Sequence, residues 1–364
     1  MSTPLLAAFD FQVAWCRESA PFTSRVLQRT RQWLAADAVA HAAFSNLAHD
    51  PLAAAMALRW ASALHHLALR GLQPWAGLWP PDGSGLEASD TELDAAIVAA
   101  WRQQQPTVQA ALRLPPQTNE VNRSVALLPG LLWVAARTGL PLNLLEIGAS
   151  AGLNLWCDHH RYDHGRWLWG DPKAPLTLRS DWEGNVPDEA GANLQIARRV
   201  ACDAHPINLG HPDEGLRLAS FIWPEQAERL ARLNTARGVA ARLMAANSVR
   251  VEALPAADFL ARELVLPPSG CATVVMHSVV WQYIQAAEQA AIAACIEAAG
   301  ARAGTAAPLA WLRFEPRADD GHVELRCRVW PGGADHLLAR CHPHGARIDW
   351  LAHPIGSGIG IGIG

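Results

Sequence analysis

The stretch that decides the fold is Leu144-Leu145-Glu146-Ile147-Gly148-Ala149-Ser150-Ala151-Gly152-Leu153-Asn154. An apolar run that ends in a carboxylate and enters a glycine cluster is typical of a buried parallel strand. Small residues let the backbone approach a ligand closely, and a following helix would present free N–H groups. The alternative is a tight strand–helix turn without a ligand. We predict a nucleotide-type pocket formed by Glu146, Gly148, Ser150, Gly152 and Asn154.

The segments that follow this turn alternate between strand and helix patterns. Predicted strands span 142–147, 199–202, 248–251, 272–276, 309–314, 323–329 and 347–351, and predicted helices include 224–236, 256–263 and 286–301. Such alternation favours an α/β fold with a doubly wound parallel sheet. Only the region around Pro331-Gly332-Gly333 and a short connection separate the last two strands, so we predict an antiparallel hairpin of these two at one edge.

The chain divides into three parts by composition. Residues 1–116 are rich in Ala, Leu, Trp and Arg, show apolar spacings of three and four, and predict a helical N-terminal domain. Residues 117–352 carry the strand–helix pattern and predict a Rossmann-like domain. Residues 353–364 form a Gly/Ile/Ser end that we expect to be disordered.

The turn departs from the dinucleotide fingerprint Gly-x-Gly-x-x-Gly. With Glu146 two residues before the first glycine, Gly148-x-Ser150-x-Gly152 resembles motif I of S-adenosylmethionine-dependent methyltransferases, acidic-x-Gly-x-Gly-x-Gly, with serine at the middle glycine. The resemblance implies a class I methyltransferase-type Rossmann-like sheet with an antiparallel C-terminal edge. It also implies S-adenosylmethionine as cofactor, with the carboxylate and the loop at its methionine end.

Several motifs read together resemble one bacterial family. They are Gln117-Thr118-Asn119-Glu120-Val121, Leu127-Leu128-Pro129-Gly130, the turn from Leu145 to Leu155, Trp223-Pro224-Glu225-Gln226 and His277-Ser278-Val279-Val280-Trp281-Gln282-Tyr283. This set is similar to the family called domain of unknown function 2332, and the similarity covers nearly the whole chain. The resemblance implies a methyltransferase-like fold and no particular substrate.

A second carboxylate is expected at the end of the second strand, where it would bind the ribose hydroxyls. Asp203 follows the predicted strand 199–202 and suits this place if residues 157–198 are an insertion. Asp171 competes because it lies about 20 residues after Gly152, the usual spacing. Either acid could instead be a surface residue or a turn cap.

Further polar and aromatic residues flank the predicted pocket. His277 directly follows the predicted strand 272–276 and could act as a general base, or be a hydrogen-bonded core histidine. Trp281 and Tyr283 could wall the substrate pocket or pack structurally. Asn119, Glu120 and Arg123 could cap the cofactor or the substrate, or cap a helix and form an ion pair.

Two other functions fit parts of the sequence. A non-catalytic cofactor-binding or regulatory module could keep the same fold without chemistry. Gly148-x-Ser150-x-Gly152 also matches the nucleophile elbow of serine hydrolases, with Ser150 as nucleophile, Asp203 or Asp258 as acid, and His277 or a later histidine as base. The predicted helical region before the elbow and the missing upstream His-Gly-Gly segment count against it.

Composition narrows the classes of partner. Thirty basic and 34 acidic side chains give a net charge of −4 without a basic run, so nucleic-acid binding through a broad basic face is not favoured. Seven cysteines without a Cys-x-x-Cys pair, no signal-peptide pattern and no apolar run long enough to span a membrane predict a cytoplasmic protein. The His/Cys spacings do not match a zinc site. The methyl acceptor stays unknown.

Overall fold

A computed structural model describes residues 3–80, 83–317 and 322–352. The tail at 353–364, which we expected to be disordered, lies outside these residues. Two compact units make up the chain: residues 1–118 with 209–234, and residues 119–208 with 235–364. The sequence analysis placed 209–234 in the second domain, whereas the structure groups this segment with the N-terminal helices.

The first unit is helical. The helices of the whole chain are α1 Pro4–Cys16, α2 Pro21–Ala36, α3 Ala38–Ser45, α4 Met56–Leu69, α5 Trp75–Leu78, α6 Asp90–Gln103, α7 Gln105–Arg113, α8 Ser124–Thr138, α9 Pro212–Ser220, α10 Ala227–Asn247, α11 Ala256–Glu263 and α12 Ala286–Arg302. Side chains cap the N-termini of several helices; for example, Ser89 and Glu92 form a capping box at the start of α6. Large aromatic side chains fill the core of this unit, including Trp60, Phe22 and Phe44.

The second unit is built on a nine-stranded sheet. The strands of the chain are β1 Leu142–Ile147, β2 Arg161–Asp163, β3 Leu168–Trp169, β4 Thr177–Arg179, β5 Asp181–Gly184, β6 Ile196–Asp203, β7 Val251–Ala253, β8 Ala272–Ser278, β9 Leu309–Pro316, β10 Val323–Trp330, β11 Ala334–Cys341 and β12 Arg347–Trp350. Their order is β5-β12-β11-β10-β9-β8-β1-β6-β7. Neighbours from β7 to β9 run parallel, and the prediction of an α/β fold with a large, mostly parallel sheet is confirmed.

Helices cover both faces of the sheet. Gly130 of α8 approaches Leu312 and Leu325, so closely that a Cβ at this glycine would overlap the Leu312 side chain. On the opposite face, Ile292 and Ile296 of α12 belong to one buried cluster with Trp311. Since neighbouring residues of a strand point to opposite faces, Leu312 and Trp311 mark the two covered sides. Burial on both sides explains why every residue of β1 is buried.

The antiparallel edge differs from the predicted hairpin. β10 and β12 do not pair with each other; β11 lies between them, so β9 to β12 form an antiparallel meander. The Pro331-Gly332-Gly333 turn reverses the chain at once, with Gly332 and Gly333 at positive φ and Gly333 N–H bonded to Val329 O at 2.8 Å. A strand must therefore begin directly after it. The sequence analysis missed β11 because Asp335, His336 and Arg340 interrupt its apolar pattern.

Between β1 and β6 the chain forms an insertion. Its strands β3, β2 and β4 make a small separate sheet, and β5 joins the large sheet beside β12. Buried aromatic side chains hold it together: His164 stacks on Trp167 with ring centroids 4.3 Å apart, and Trp182 meets both rings edge to face. The insertion allows β6, rather than an earlier segment, to be the strand beside β1.

Within the three described ranges, no helix combines the length and the apolar character needed to cross a membrane.

Candidate functional site

The carboxyl ends of three neighbouring strands meet at one edge of the large sheet. β1 ends beside Glu146, β6 ends in Asp203, and β8 carries His277 next to its end. Of the four other strands in the parallel part of the sheet, β6 and β7 lie on one side of β1, and β8 and β9 lie on the other. Open α/β sheets bind ligands at the carboxyl ends of the strands, where the strand order reverses in this way.

Glu146 is a buried carboxyl group with an incomplete set of partners. Only 2% of the residue is exposed, and among the described residues its Oε2 atom has no hydrogen-bond partner. Burial raises the pKa of Glu146 to about 8; a hydrogen bond from Asn154 opposes this shift, and the charge of Asp203 adds to it. A carboxyl group of this kind is held mainly protonated at neutral pH.

The amide of Asn154 is oriented by a second polar contact. Ser124 Oγ lies 2.9 Å from Asn154 Oδ1, so the hydroxyl donates to the amide oxygen. The amide nitrogen of Asn154 is then left to donate to Glu146. Both Ser124 and Asn154 are fully buried, which fixes the position of the Glu146 carboxyl group.

Protein groups accept hydrogen bonds from the amides of the glycine-rich loop. Asn119 Oδ1 accepts from Ala151 N at 3.2 Å and from Leu153 N at 3.1 Å. Ala149 N donates to Cys202 O, and Gly152 N donates to Ala149 O. The loop therefore does not offer the row of free N–H groups that cradles a phosphate.

The two glycines of the loop have a steric role as well. Gly148 and Gly152 lie at φ 64° and φ 70°, in the left-handed region. A Cβ at Gly148 would overlap the side chain of Val280, and one at Gly152 would overlap Met244. Ser150, at φ 55°, adopts the same region although it has a side chain. The loop is thus tightly packed as well as tightly turned.

The two candidate ribose acids differ in place. Asp203 lies at the end of β6: its Oδ2 accepts from Ser150 N, and its Oδ1 accepts from His205 N, both at 2.8 Å. Asp171 lies in the insertion after β3, where it accepts from Lys173 N in an exposed turn. Only Asp203 borders the glycine-rich loop. Ribose binding by either acid stays a prediction.

His277 lies among protein partners on both sides of its ring. Nδ1 is 2.6 Å from Glu315 Oε1, and Nε2 is 3.1 Å from the indole nitrogen of Trp311. The ring also stacks on Trp281, with centroids 5.2 Å apart. A role as general base would require the Trp311 contact to open, and it stays a prediction.

The other predicted residues are divided between the site and the surface. Glu120 is buried and caps a short 3₁₀ turn by accepting from Asn122 N. Arg123, also buried, donates to Ser278 O and Pro343 O, so it ties the end of β8 to the loop before β12. Tyr283 is 62% exposed. Trp281 contacts the site through His277, whereas Tyr283 lies at the surface.

Four residues that support the site were missed by sequence reasoning. Ser124, Val280, Trp311 and Glu315 are these residues. Ser124 belongs to a polar segment that had been noted, but Trp311 lies in the predicted strand 309–314 and Glu315 directly follows it, with no pattern that links either residue to His277. In the described parts of the chain, no group of three or more His, Cys, Asp or Glu side chains is arranged to hold a metal ion.

Comparison with known proteins identifies one family. The family model described as "Uncharacterized protein conserved in bacteria (DUF2332)" matches residues 7–350, which is almost the whole chain. The similarity inferred from the motifs is therefore confirmed at the level of this family. No curated protein and no solved structure matches the chain.

Proposed function

We propose that this chain, which belongs to the DUF2332 family, binds S-adenosylmethionine at the carboxyl end of β1 and transfers its methyl group to an acceptor substrate. One observation carries the proposal. At the point where the strand order reverses, Glu146 presents a buried carboxyl oxygen that has no partner among the residues that the structure describes. A buried polar atom without a partner is costly, so a ligand that supplies the partner is favoured.

The chemistry of the loop selects among nucleotide-type ligands. Two carboxyl groups, Glu146 and Asp203, border it, and its amides already donate to protein acceptors. A pyrophosphate would meet negative charge and find few free donors. A ligand with cationic groups and a neutral sugar suits this site better, and S-adenosylmethionine has both.

The topology supports the same proposal. Numbered in chain order, the parallel strands β1, β6, β7, β8 and β9 lie in the order 3-2-1-4-5, as in doubly wound nucleotide-binding sheets. We take this as a class I methyltransferase-type, Rossmann-like core with an extended antiparallel edge. Asp203 would bind the ribose hydroxyls, and Asn119, Glu120 and Arg123 would close the site from the side of α8.

When bound, S-adenosylmethionine supplies an electrophilic methyl group on a sulfonium. The protein's part would be mainly to align the acceptor and exclude water. His277 would remove a proton from the acceptor only if Trp311 moves away from its Nε2 atom. That engagement of His277 favours a second candidate, a non-catalytic module that binds the cofactor without turnover. Neither ring nitrogen of His277 faces Ser150, which counts against the hydrolase.

The proposal is tested by calorimetric titration of the protein with S-adenosylmethionine and S-adenosylhomocysteine. We expect micromolar binding, weakened at least about tenfold in Glu146→Ala because a charged contact is lost. Glu183→Ala is the matched control. Glu183 lies on β5, where its exposed side chain pairs with Arg347. Absence of binding by folded wild-type protein would overturn the proposal. Labelling by a fluorophosphonate that disappears in Ser150→Ala would support the hydrolase instead.

A further inference from the structure

We propose that Glu146 accepts a cationic group of the ligand and releases a proton to solvent as it does so, which makes binding at this site depend on pH. This inference rests on the proposed function and adds to it the charge that the ligand must carry.

The surroundings of Glu146 contain a side-chain amide, two thiols and one acid. On β6 it faces Cys202 and Asp203, and on the 153–159 segment it faces Asn154 and Cys157. Burial raises the pKa of both thiols, that of Cys202 to about 12, so they stay neutral. Asp203 adds negative charge. Burial and the charge of Asp203 favour the protonated form of Glu146, and the hydrogen bond from Asn154 opposes them.

Arg199 and His277, on the strands β6 and β8 that flank β1, already have protein partners. Arg199 of β6 forms an ion pair with Asp158, and its Nε donates to Leu155 O. On β8, Met276 is the residue in register with Glu146, and the following residue, His277, is bonded to Glu315 and Trp311. Within the described parts of the chain no cation therefore completes the contact, and Oε2 is left for a group that the ligand brings.

The proton balance follows from these contacts. In the free protein, the carboxyl group keeps its proton because burial raises its pKa to about 8. A cation placed against Oε2 favours the carboxylate, so the O–H bond breaks, the electron pair stays on oxygen and the proton passes to the buffer. Ligand and Glu146 then form a buried pair of opposite charge.

S-adenosylmethionine carries two cationic groups that could fill this place, an α-ammonium and a sulfonium. S-adenosylhomocysteine keeps the ammonium and lacks the sulfonium charge, and 5′-methylthioadenosine has neither. Proton release with the first two ligands would assign the ammonium, whereas release with S-adenosylmethionine alone would assign the sulfonium. In both cases 5′-methylthioadenosine binds without release.

The experiment is calorimetry with the full chain at about pH 6 to pH 7, below the pKa of a free α-amino group. Each titration is run in two buffers of different ionisation enthalpy, which gives the number of protons released. We expect close to one proton per S-adenosylmethionine bound, and an affinity that rises about tenfold between these pH values. Glu146→Gln, a neutral residue of the same shape, should bind with little release and an affinity that does not change with pH.

The outcomes separate this inference from the proposed function. Binding of S-adenosylmethionine to wild-type protein without proton release would overturn the inference and leave the proposed function standing. The same release in Glu146→Gln would also overturn it, because the proton would come from another group. No binding at all by folded protein would overturn both. The pH dependence of the wild-type protein tests the inference even if the variant does not fold.

Discussion

The indole nitrogen of Trp311 lies 3.1 Å from Nε2 of His277, and this contact fixes the tautomer of the histidine. An indole N–H only donates, so Nε2 must accept, and the proton of the neutral ring lies on Nδ1. Nδ1 then donates to Glu315 Oε1 at 2.6 Å. The same carboxylate accepts from the amides of Val280 and Trp281. Glu315 thus holds the segment after β8, with Val280 packed over Gly148.

Replacement of Glu315 by Gln should destabilise the protein. One carboxylate oxygen becomes an NH₂ group, which leaves at least one of the three donors around it without an acceptor. We expect the free energy of unfolding to fall by about 1–3 kcal/mol. Glu297→Gln is the control, since Glu297 forms an exposed ion pair with Arg328, and it should change stability by less than about 1 kcal/mol. Urea unfolding measures both; equal stability of Glu315→Gln and wild type would contradict the network.

Replacement of Gly148 by Ala should cost more than the same change at Gly139. Both glycines have nearly the same φ, 64° and 65°. Alanine at either position is therefore strained in the left-handed region, and each variant should lose about 1 kcal/mol of stability for that reason. At Gly139 the new Cβ meets nothing within 4 Å, whereas at Gly148 it overlaps Val280. We expect an additional loss of about 1–3 kcal/mol at Gly148. Combination with Val280→Ala should recover part of this overlap cost, and thermal unfolding of the variants measures it.

Removal of Asp203 should affect the loop more than removal of Asp171. Asp203→Ala leaves the amides of Ser150 and His205 without their carboxylate acceptor, which we expect to cost about 2 kcal/mol. Asp171→Ala removes one bond in an exposed turn and should cost less than about 1 kcal/mol. If Asp203 also binds the ribose, its variant loses affinity for S-adenosylmethionine while Asp171→Ala does not. The reverse pattern would assign the ribose to Asp171.

Glu146 should make the protein less stable as the pH rises. Its pKa is raised from 4.5 to about 8 by burial, so between these values the folded state holds a proton that the unfolded state has lost. The stabilisation is complete below about pH 4.5 and is lost toward about pH 8, by at most about 1.4 kcal/mol per pH unit. Glu146→Gln should remove this slope in chemical denaturation between pH 6.5 and pH 8. A slope that persists in the variant would assign it to other groups.

Three buried histidines should make the protein less stable as the pH falls. Burial lowers the pKa of His65, His160 and His164 to about 4, so below about pH 6.5 the unfolded state binds protons that the folded state refuses. Stability should therefore fall as the pH falls from about 6.5 to about 4. His160→Leu should reduce this acid sensitivity, because it removes one of the three groups. It breaks no hydrogen bond of the ring, since neither ring nitrogen of His160 has a partner among the described residues. His49→Leu, at an exposed position, should leave it unchanged.

The local sequence pattern was sufficient to predict the central parallel strands of the second unit. A nearly continuous apolar run before a glycine cluster predicted β1, and the alternation of segments predicted its parallel neighbours. These features depend on periodicity within a few residues, which the sequence displays directly. The motif set also predicted the family, and the match over residues 7–350 confirmed it.

The edge of the sheet could not be read in the same way. β11 carries Asp335 and Arg340 within a mixed pattern, and its place between β10 and β12 follows from the turn at Gly332 and Gly333. A strand with a partly solvated face has a weak sequence signal, and its pairing partner is chosen by register and packing.

The sequence by itself determined which residues are candidates for chemistry: the glycine-rich turn, the carboxylates Glu146 and Asp203, and His277 next to the end of β8. Only the tertiary structure decided which of their atoms are already used. His277 meets Glu315, and Ser150 meets Asp203, across 38 and 53 residues of chain. Contacts of this kind depend on burial and on the completion of hydrogen bonds after the strands have paired. For that reason the sequence identified Glu146 as a candidate, but it could not show that the Oε2 atom lacks a partner among the described residues.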